Sequence, residues 1–462
     1  MAERYDVIII GAGQSGGPLS TALAKAGRRV ALIEREHVGG TCVNTGCTPT
    51  KTMIASARVA HLARRAADYG VSTGPVSVNL GVVRQRKRVM VERFRSGSQQ
   101  QIEQTDGVDL MMGEAQFTAP KQLAVRLNTG ATRSLTADTV IINVGARPAL
   151  PPVEGLDRVP SLDSTTIMEL DSVPEHLLVM GGGYIGLEFA QMFRRFGSDV
   201  TVIQRDDQLL PHEDPDIAEA VADILRDDDI TVLTSAEVQR VEQIDNVTLQ
   251  VSVQVGGETC IVAGSHLLVA TGRQPNSDVL NVAAAGLNTD KQGHILVDEY
   301  LETNVPGVYA MGDVKGGPAF THISYDDFRM LKATLIEGKR ASIAGRLVPY
   351  TVFIDPQLGR VGLTEQEARK QGYRIQIARL PMKYVARALE TDETRGVMKA
   401  VIDAQTDQIL GAAILGLEGG EVVTVIQTAM MGRLPYTALR DAAFSHPTLA
   451  ESLNNLFSSL EA

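Results

Sequence analysis

The chain opens on an apolar run, Tyr5 to Ile10, that stops at Gly11. A short uninterrupted run of this kind predicts a strand buried on both faces, as in a parallel sheet, rather than a half-exposed strand. An alanine-rich stretch with helical spacing follows, Leu19 to Ala26, and then a second apolar run, Arg29 to Ile33, ending at Glu34. The same order returns downstream. His176 to Met180 reads as a strand, Leu187 to Phe196 as a helix, and Asp199 to Ile203 as a strand ending at Gln204. Alternating strands and helices predict an α/β fold. At 462 residues the chain is too long for one core, so two to four domains are expected.

Composition and charge narrow the class. Hydrophobic residues make up 44% and charged residues 21%, as in a globular protein, and the net charge is -11. That charge argues against nucleic acid or an anionic membrane as a partner. The dense basic run of Arg84, Arg86, Lys87, Arg88, Arg93 and Arg95 is read as a solvated helix face. No apolar segment reaches membrane-spanning length, and the N-terminal run lacks the features of a signal peptide, so a cytoplasmic location is expected. With three cysteines, a structural disulfide framework is excluded.

The two glycine turns carry candidate chemistry. Gly11, Gly13 and Gly16 fit a tight turn that lets a pyrophosphate approach a helix N-terminus, and Glu34, 23 positions after Gly11, suits ribose hydroxyls. Gly181, Gly183 and Gly186 repeat the pattern, with Gln204 again 23 positions on. Gln204 is neutral and Arg205 cationic, a combination suited to a ribose bearing a 2′-phosphate; NADPH is therefore preferred to NADH, although Arg205 reads equally well as a surface charge.

Between the turns lies Gly39-Gly40-Thr41-Cys42-Val43-Asn44-Thr45-Gly46-Cys47-Thr48-Pro49-Thr50-Lys51. On an ideal helix, residues five apart diverge by roughly 140°, too far for two sulfurs to meet. Asn44, Gly46 and Pro49 loosen the segment, so a distorted helix start can bring them together. Thiolates near a helix N-terminus, with Lys51 close by, are stabilised. Buried apolar cysteines fit these glycine- and threonine-rich surroundings poorly, and no nearby Cys/His pair completes a metal site. Redox pairing is favoured. Cys260, in a strand-like stretch, reads as core or edge packing.

Gly39 to Lys51 resembles the active-site signature of the class I pyridine nucleotide–disulfide oxidoreductases, which include dihydrolipoamide dehydrogenase, glutathione reductase and mercuric reductase. Val144-Gly145-Ala146-Arg147-Pro148 and Ala270-Thr271-Gly272-Arg273-Gln274-Pro275-Asn276 resemble that family's crossover strands. Tyr309-Ala310-Met311-Gly312-Asp313 resembles its second FAD motif, and His446-Pro447-Thr448-Leu449-Ala450-Glu451 its C-terminal active-site motif. The resemblance implies two Rossmann-like nucleotide-binding domains, for FAD and NAD(P), and an α+β C-terminal dimerisation domain. The implied boundaries are 1–149 and 271–345 for the interrupted FAD domain, 150–270 for NAD(P) and 346–462 for dimerisation.

It also implies roles. Gly11, Gly13, Gly16, Glu34, Gly40, Thr41, Gly145, Gly312 and Asp313 would hold FAD, with Asp313 on the ribityl chain. Gly181, Gly183, Tyr184, Gly186, Gln204, Arg205 and Gly272 would hold NAD(P), with Tyr184 covering the nicotinamide pocket. Cys47 would face the flavin and Cys42 would exchange with substrate. Lys51 and Glu188 would pair near the flavin. His446, oriented by Glu451, would act as acid–base on the partner subunit's cysteines in a homodimer. His322 is read as structural.

Glutathione reductases carry arginines where Thr21 and Ala22 stand here, and mercuric reductases carry a C-terminal cysteine pair that this sequence lacks. Gly316 to Arg329 and Leu434 to Arg440 resemble a mercuric-reductase-like subgroup that includes a reactive-chlorine-resistance flavoprotein. The expected substrate is thus a small disulfide or a thiol-binding metal ion such as Hg(II) or Cu(II). Dihydrolipoamide oxidation is the alternative, weakened by Gln204. Others are a thiol-switched sensor without turnover and a flavin that passes electrons directly to oxygen or a quinone.

Overall fold

The computed structural model describes residues 2–460. The helices that matter below are, in chain order, α1 (Gly16–Lys25), α2 (Gly40–Asn44), α3 (Cys47–Arg64), α4 (Leu80–Glu103), α5 (Tyr184–Phe196), α6 (Pro215–Asp227) and α7 (Thr321–Leu335). The chain divides into two units. The first gathers residues 1–52, 82–149 and 272–346; the second gathers 53–81, 150–271 and 347–462.

In the first unit, β1 (Glu3–Ile10), β2 (Val30–Glu34), β3 (Val108–Ala119), β4 (Gln122–Leu127) and β5 (Thr132–Ile142) form one sheet with Val308–Ala310. β1 lies between β2 and β5, all parallel, with Ile10 paired to both Ile33 and Ile142. That register ends three strands level, so the turn at Gly11 emerges beside Glu34 and Asn143. Ile8, Ile9, Leu32 and Val140 are fully buried, as expected of strands covered on both faces. α1 begins at Gly16 rather than Leu19 because Gly16, Gly17 and Pro18 form its first turn without an apolar side chain to signal it.

The second unit contains a five-stranded parallel sheet in the order Ile230–Leu233, Asp199–Ile203, His176–Met180, His266–Val269, Ser161–Leu162. It also has a three-stranded antiparallel sheet, whose outer strand Glu258–Gly264 carries Cys260. Cys260 is exposed, so the edge reading holds and the core reading does not. From Tyr350 on, five antiparallel strands pack against Gly419–Met431 through Ala400, Ala412, Ile414, Val423 and Ile426, an α+β arrangement. The architecture is the α/β fold that the alternating pattern predicts, with the two Rossmann-like sheets that the family resemblance implies.

α5 shows why this antiparallel part packs on the parallel sheet's helix. Glu188, Gln191 and Arg195 recur every three to four residues and are all buried, a polar stripe among the apolar residues of this helix. Each has a backbone partner. Glu188 Oε1 accepts the Phe353 N–H at 2.9 Å, Gln191 bonds both the N–H and the C=O of Asp355, and Arg195 grips the Asp355 carboxylate and carbonyl. A second tie joins α6 to the same region: buried Lys399 meets Asp214 at 3.1 Å and Asp216 and Glu365 at 2.9 Å each. Burial would raise the Asp355 carboxyl, but Arg195, Arg58 and His61 hold it below its usual value.

His61, on α3, faces this cluster with its Nε2 buried and without a partner among the described residues. Burial first, and the Arg195 charge second, lower its pKa from 6.5 to about 4. The folded chain therefore binds this proton less well than the unfolded chain. The resulting stability is fully present above pH 6.5 and is lost as pH falls toward 4. His61→Leu is expected to flatten the pH dependence of urea-unfolding stability in that window; curves that stay parallel to wild type from pH 7 to about pH 4 would contradict this assignment.

Candidate functional site

The two glycine turns are held the same way. At the first, Glu34 Oε2 accepts the Ala12 N–H at 2.9 Å; at the second, Gln204 Oε1 accepts the Gly182 N–H at 2.8 Å. The residue closing the second strand thus fixes the turn whether or not it is charged. Glu34 Oε1 also accepts the Glu36 N–H, and both carboxylate oxygens keep a further lone pair. Gln204 is buried and donates to Asp206, whose carboxylate lies 3.6 Å from the exposed Arg205.

Asn143 was not expected to take part. Its Oδ1 accepts the Gly16 N–H and its Nδ2 donates to the Met311 carbonyl, tying the first glycine turn to the segment before Gly312 and Asp313. Buried Asp327 accepts the Gly312 N–H and pairs with Arg346 and Lys315, fixing the same short turn. In sequence the only signal for Asn143 is a polar residue closing a buried strand. Gly145 and Gly272 flank a two-stranded ribbon, Ala146–Pro148 against Arg273–Pro275.

The residues of the first unit fit a flavin dinucleotide. The glycine turn borders a cleft of about 410 Å³ lined by Ala12, Gly13, Gln14, Val38 and Gly39. The Asp313 carboxyl is raised by burial, with Arg273 Nε 3.8 Å away, and that Nε is buried without a hydrogen-bond partner among the described residues. Such orphaned polarity calls for a polar ligand. In the second unit a Cβ added at Gly183 would meet nothing within 4 Å, so no protein packing requires glycine there, whereas close approach of a pyrophosphate does. Tyr184 opens α5 directly after it, and Gly186 lies in the first turn.

The cysteine segment packs on the first glycine turn. A Cβ on Gly40 would come within 2.8 Å of Gly13 Cα, and the Gly39 N–H donates to the Ala12 carbonyl. Gly40, Thr41 and Cys42 form the start of α2; the helix then breaks at Thr45-Gly46, and α3 starts at Cys47. At Gly46 a Cβ would strike the Thr41 carbonyl oxygen at 2.9 Å. The break brings the two cysteine side chains together as free thiols. Cys47 is exposed and Cys42 partly buried. The hydrogen bond with Cys47 first, then burial, push the Cys42 thiol up, while Thr321 and Lys51 act downward.

One expectation is corrected nearby. The basic run on α4 is not simply a solvated face. Lys87 is only 3% exposed, Arg86 donates to the Thr52 carbonyl, and Arg95 Nε donates to Asn44 Oδ1 at 2.7 Å. Asn44 in turn donates to the Val38 and Gly40 carbonyls, so Arg95 braces the cysteine segment. A helical stretch with charges at several angular positions does not reveal which ones point inward.

In the second unit, His446 Nδ1 lies 3.1 and 2.9 Å from the two Glu451 oxygens. Glu188 sits on α5 with its Oε1 on the Phe353 N–H, and Lys51 lies in the first turns of α3. His322 follows Thr321 at the start of α7, its ring stacked on Phe320. Among the described residues no group of three or more His, Cys, Asp or Glu side chains is placed to hold a metal ion, and no helix is long and apolar enough to cross a membrane.

Comparison with known proteins agrees with this geometry. The pyridine nucleotide-disulphide oxidoreductase family model matches residues 5–327, and the dimerisation domain of the same family matches residues 348–457. The probable pyridine nucleotide-disulfide oxidoreductase RclA of Escherichia coli is 40% identical over 460 residues, 99% of each chain. A mercuric reductase of Staphylococcus aureus is 36% identical over 452 residues, 97% of this chain and 81% of that one. The solved Cu(II) complex of the HOCl-induced flavoprotein disulfide reductase RclA from Escherichia coli superposes with a TM-score of 0.89 at 39% identity, covering 99% of each chain. The chain belongs to the pyridine nucleotide-disulphide oxidoreductases and is a flavoprotein enzyme of that family.

Proposed function

We propose that this enzyme reduces a small disulfide or a thiol-binding metal ion, Hg(II) or Cu(II), with electrons from NAD(P)H delivered through the Cys42–Cys47 pair. The observation that carries this reading is the meeting of the two cysteine side chains at the break between α2 and α3. FAD, when bound, supplies the two-electron exchange between nicotinamide and thiols. Gly11, Gly13, Gly16, Glu34 and Asp313 would hold it, and Gly181, Gly183, Gly186 and Gln204 the nicotinamide dinucleotide. A neutral Gln204 and an exposed Arg205 favour NADPH, tempered by Asp206 beside Arg205.

The chain's own residues carry the thiol chemistry. Two electrons and one proton break the Cys42–Cys47 bond, leaving one thiol and one thiolate. The Cys42 sulfur, as thiolate, attacks a substrate disulfide, forms a mixed disulfide and releases one thiolate, which takes a proton from His446 of the partner subunit. Cys47 then attacks Cys42, re-forms the original bond and releases the second thiol. Glu451 on Nδ1 keeps Nε2 as the proton-carrying atom. The matched dimerisation domain supports a homodimer in which each site takes its histidine from the other copy. The copper complex of the RclA relative supports a metal ion as an alternative substrate.

NADPH and NADH oxidation assayed against lipoamide, oxidised low-molecular-weight thiols, Hg(II) and Cu(II) tests the reading. Turnover with at least one acceptor is expected, and Cys42→Ser should lower it by about a thousandfold or more. Full activity in that variant would show that electrons leave by another route. His446→Gln should cost about a hundredfold in kcat with a disulfide acceptor. Glu34→Ala, which strips both the turn acceptor and the ribose acceptor, should retain FAD about tenfold less tightly, read from the flavin-to-protein absorbance ratio after dialysis.

A further inference from the structure

The second glycine turn departs from the first in one chemical respect. At each turn the residue closing the second strand accepts a backbone N–H, from Ala12 at Glu34 and from Gly182 at Gln204. That bond fixes the Gln204 amide. Its oxygen faces Gly182, so its nitrogen faces away from the turn and can only donate. The hydroxyls of an unphosphorylated adenosine ribose are donors as well, and they call for an acidic acceptor at this place. Gln204 does not present one.

Asp206 presents one a single hydrogen bond further out. Gln204 Nε2 donates to Asp206 Oδ2 at 2.9 Å, and Gln204 is only 6% exposed, so the carboxylate is anchored to a buried group. The backbone is anchored too. The Ala236 N–H donates to the Gln204 carbonyl at 2.9 Å and the Ser235 N–H to the Asp206 carbonyl at 2.8 Å. Asp206 Oδ1 has no hydrogen-bond partner among the described residues, and the side chain is 41% exposed. Arg205 Nε stands 3.6 Å from that oxygen, and its side chain is 77% exposed. An anchored acid and an exposed cation thus stand together after the second strand.

We propose that Asp206 is a further specificity-determining residue: its carboxylate accepts the ribose hydroxyl that an acid at position 204 would have taken, and so admits NADH alongside NADPH. This rests on the preceding section's reading of the Gly181 turn as the nicotinamide dinucleotide site. With NADH, Asp206 takes the 2′-hydroxyl as a donor while Arg205 stays paired with it. With NADPH, the 2′-phosphate draws Arg205 toward itself and meets a like charge in Asp206, so part of the cation's gain is cancelled. One carboxylate thereby attracts the first nucleotide and repels the second, and discrimination needs both effects. Asp207, its neighbour, is exposed and makes no hydrogen bond to Gln204. In sequence, position 204 reads as a missing acid; the replacement two residues on emerges only because Gln204 holds it.

The test uses the purified FAD-loaded enzyme, titrated calorimetrically with ADP-ribose and with its 2′-phosphate, and assayed for NADH and NADPH oxidation. Asp206→Asn keeps an acceptor for Gln204 and removes the charge. It should bind ADP-ribose about tenfold less tightly and the 2′-phosphate about tenfold more tightly. The ratio of kcat/KM for NADPH over NADH should rise about a hundredfold, carried by KM, with kcat within about twofold. Arg205→Gln should weaken only the phosphorylated ligand, and Asp207→Asn should move the ratio by no more than about twofold. An unchanged ratio in flavin-replete Asp206→Asn enzyme, or an equal loss of both ligands, would overturn the proposal, as would an equal swing in Asp207→Asn. Wild-type enzyme that keeps FAD yet binds neither ligand would overturn the placement at the Gly181 turn itself, a failure distinguishable from that of Asp206.

Discussion

The chemistry depends on a steric constraint at Gly46. Cys42 and Cys47 are spaced so that an unbroken helix would point their sulfurs roughly 140° apart. The break lets the turn carrying Cys42 fold back on the start of α3, and the Thr41 carbonyl then occupies the space a side chain at position 46 would need. Thr45 still donates to Thr41 and Thr50 still donates to Gly46, so the break costs little backbone hydrogen bonding. Asn44 closes the loop from inside by binding two carbonyls, and Arg95 holds Asn44. A reactive pair is in this way built from backbone geometry, with side chains serving as braces.

α3 begins at that break. Its first residue is Cys47, and its later turns carry Arg58 and His61, which join the charged cluster around Asp355 in the second unit. Arg195 from α5 and Arg58 from α3 share the same carboxylate. Burying several charges is expensive unless each finds partners, and here nearly every one does; the neutral His61 is what the remaining unpaired position tolerates. Buried ionic clusters of this kind contribute modestly to net stability but penalise misplacement strongly.

The sequence made the local devices legible. The paired turns at Gly11 and Gly181, the strands that feed them and the equal spacing to Glu34 and Gln204 all follow from short-range pattern, because turn, strand and helix N-terminus are written within about thirty residues. The helices α1 and α5 start earlier than apolar periodicity indicates, since glycine and the residues after it give no hydrophobic signal. What stayed hidden is long-range. Asn143, Asp327, Arg95 and Thr321 act on residues that lie from 15 to 274 positions away, and nothing in their own neighbourhood distinguishes them from ordinary polar residues. The basic run on α4 misled for the same reason: which guanidinium turns inward is decided by Asn44, not by α4.

One dithiol also limits what a turnover can deliver. Of the three cysteines, Cys260 is exposed on the outer strand of a separate sheet in the second unit, so the proposed relay has a single pair to load and discharge. Each filling stores two electrons. A disulfide or Hg(II) takes both in one event, whereas Cu(II), reduced to Cu(I), takes one, so two ions must be served before the pair is oxidised again. The first transfer to copper would leave an odd electron on the pair. Attack on a disulfide needs one thiolate, at Cys42, with Cys47 left to close the mixed disulfide afterwards. Symmetrical binding of an ion by both sulfurs needs both deprotonated. The two substrate classes thus ask for different charge states of the same pair.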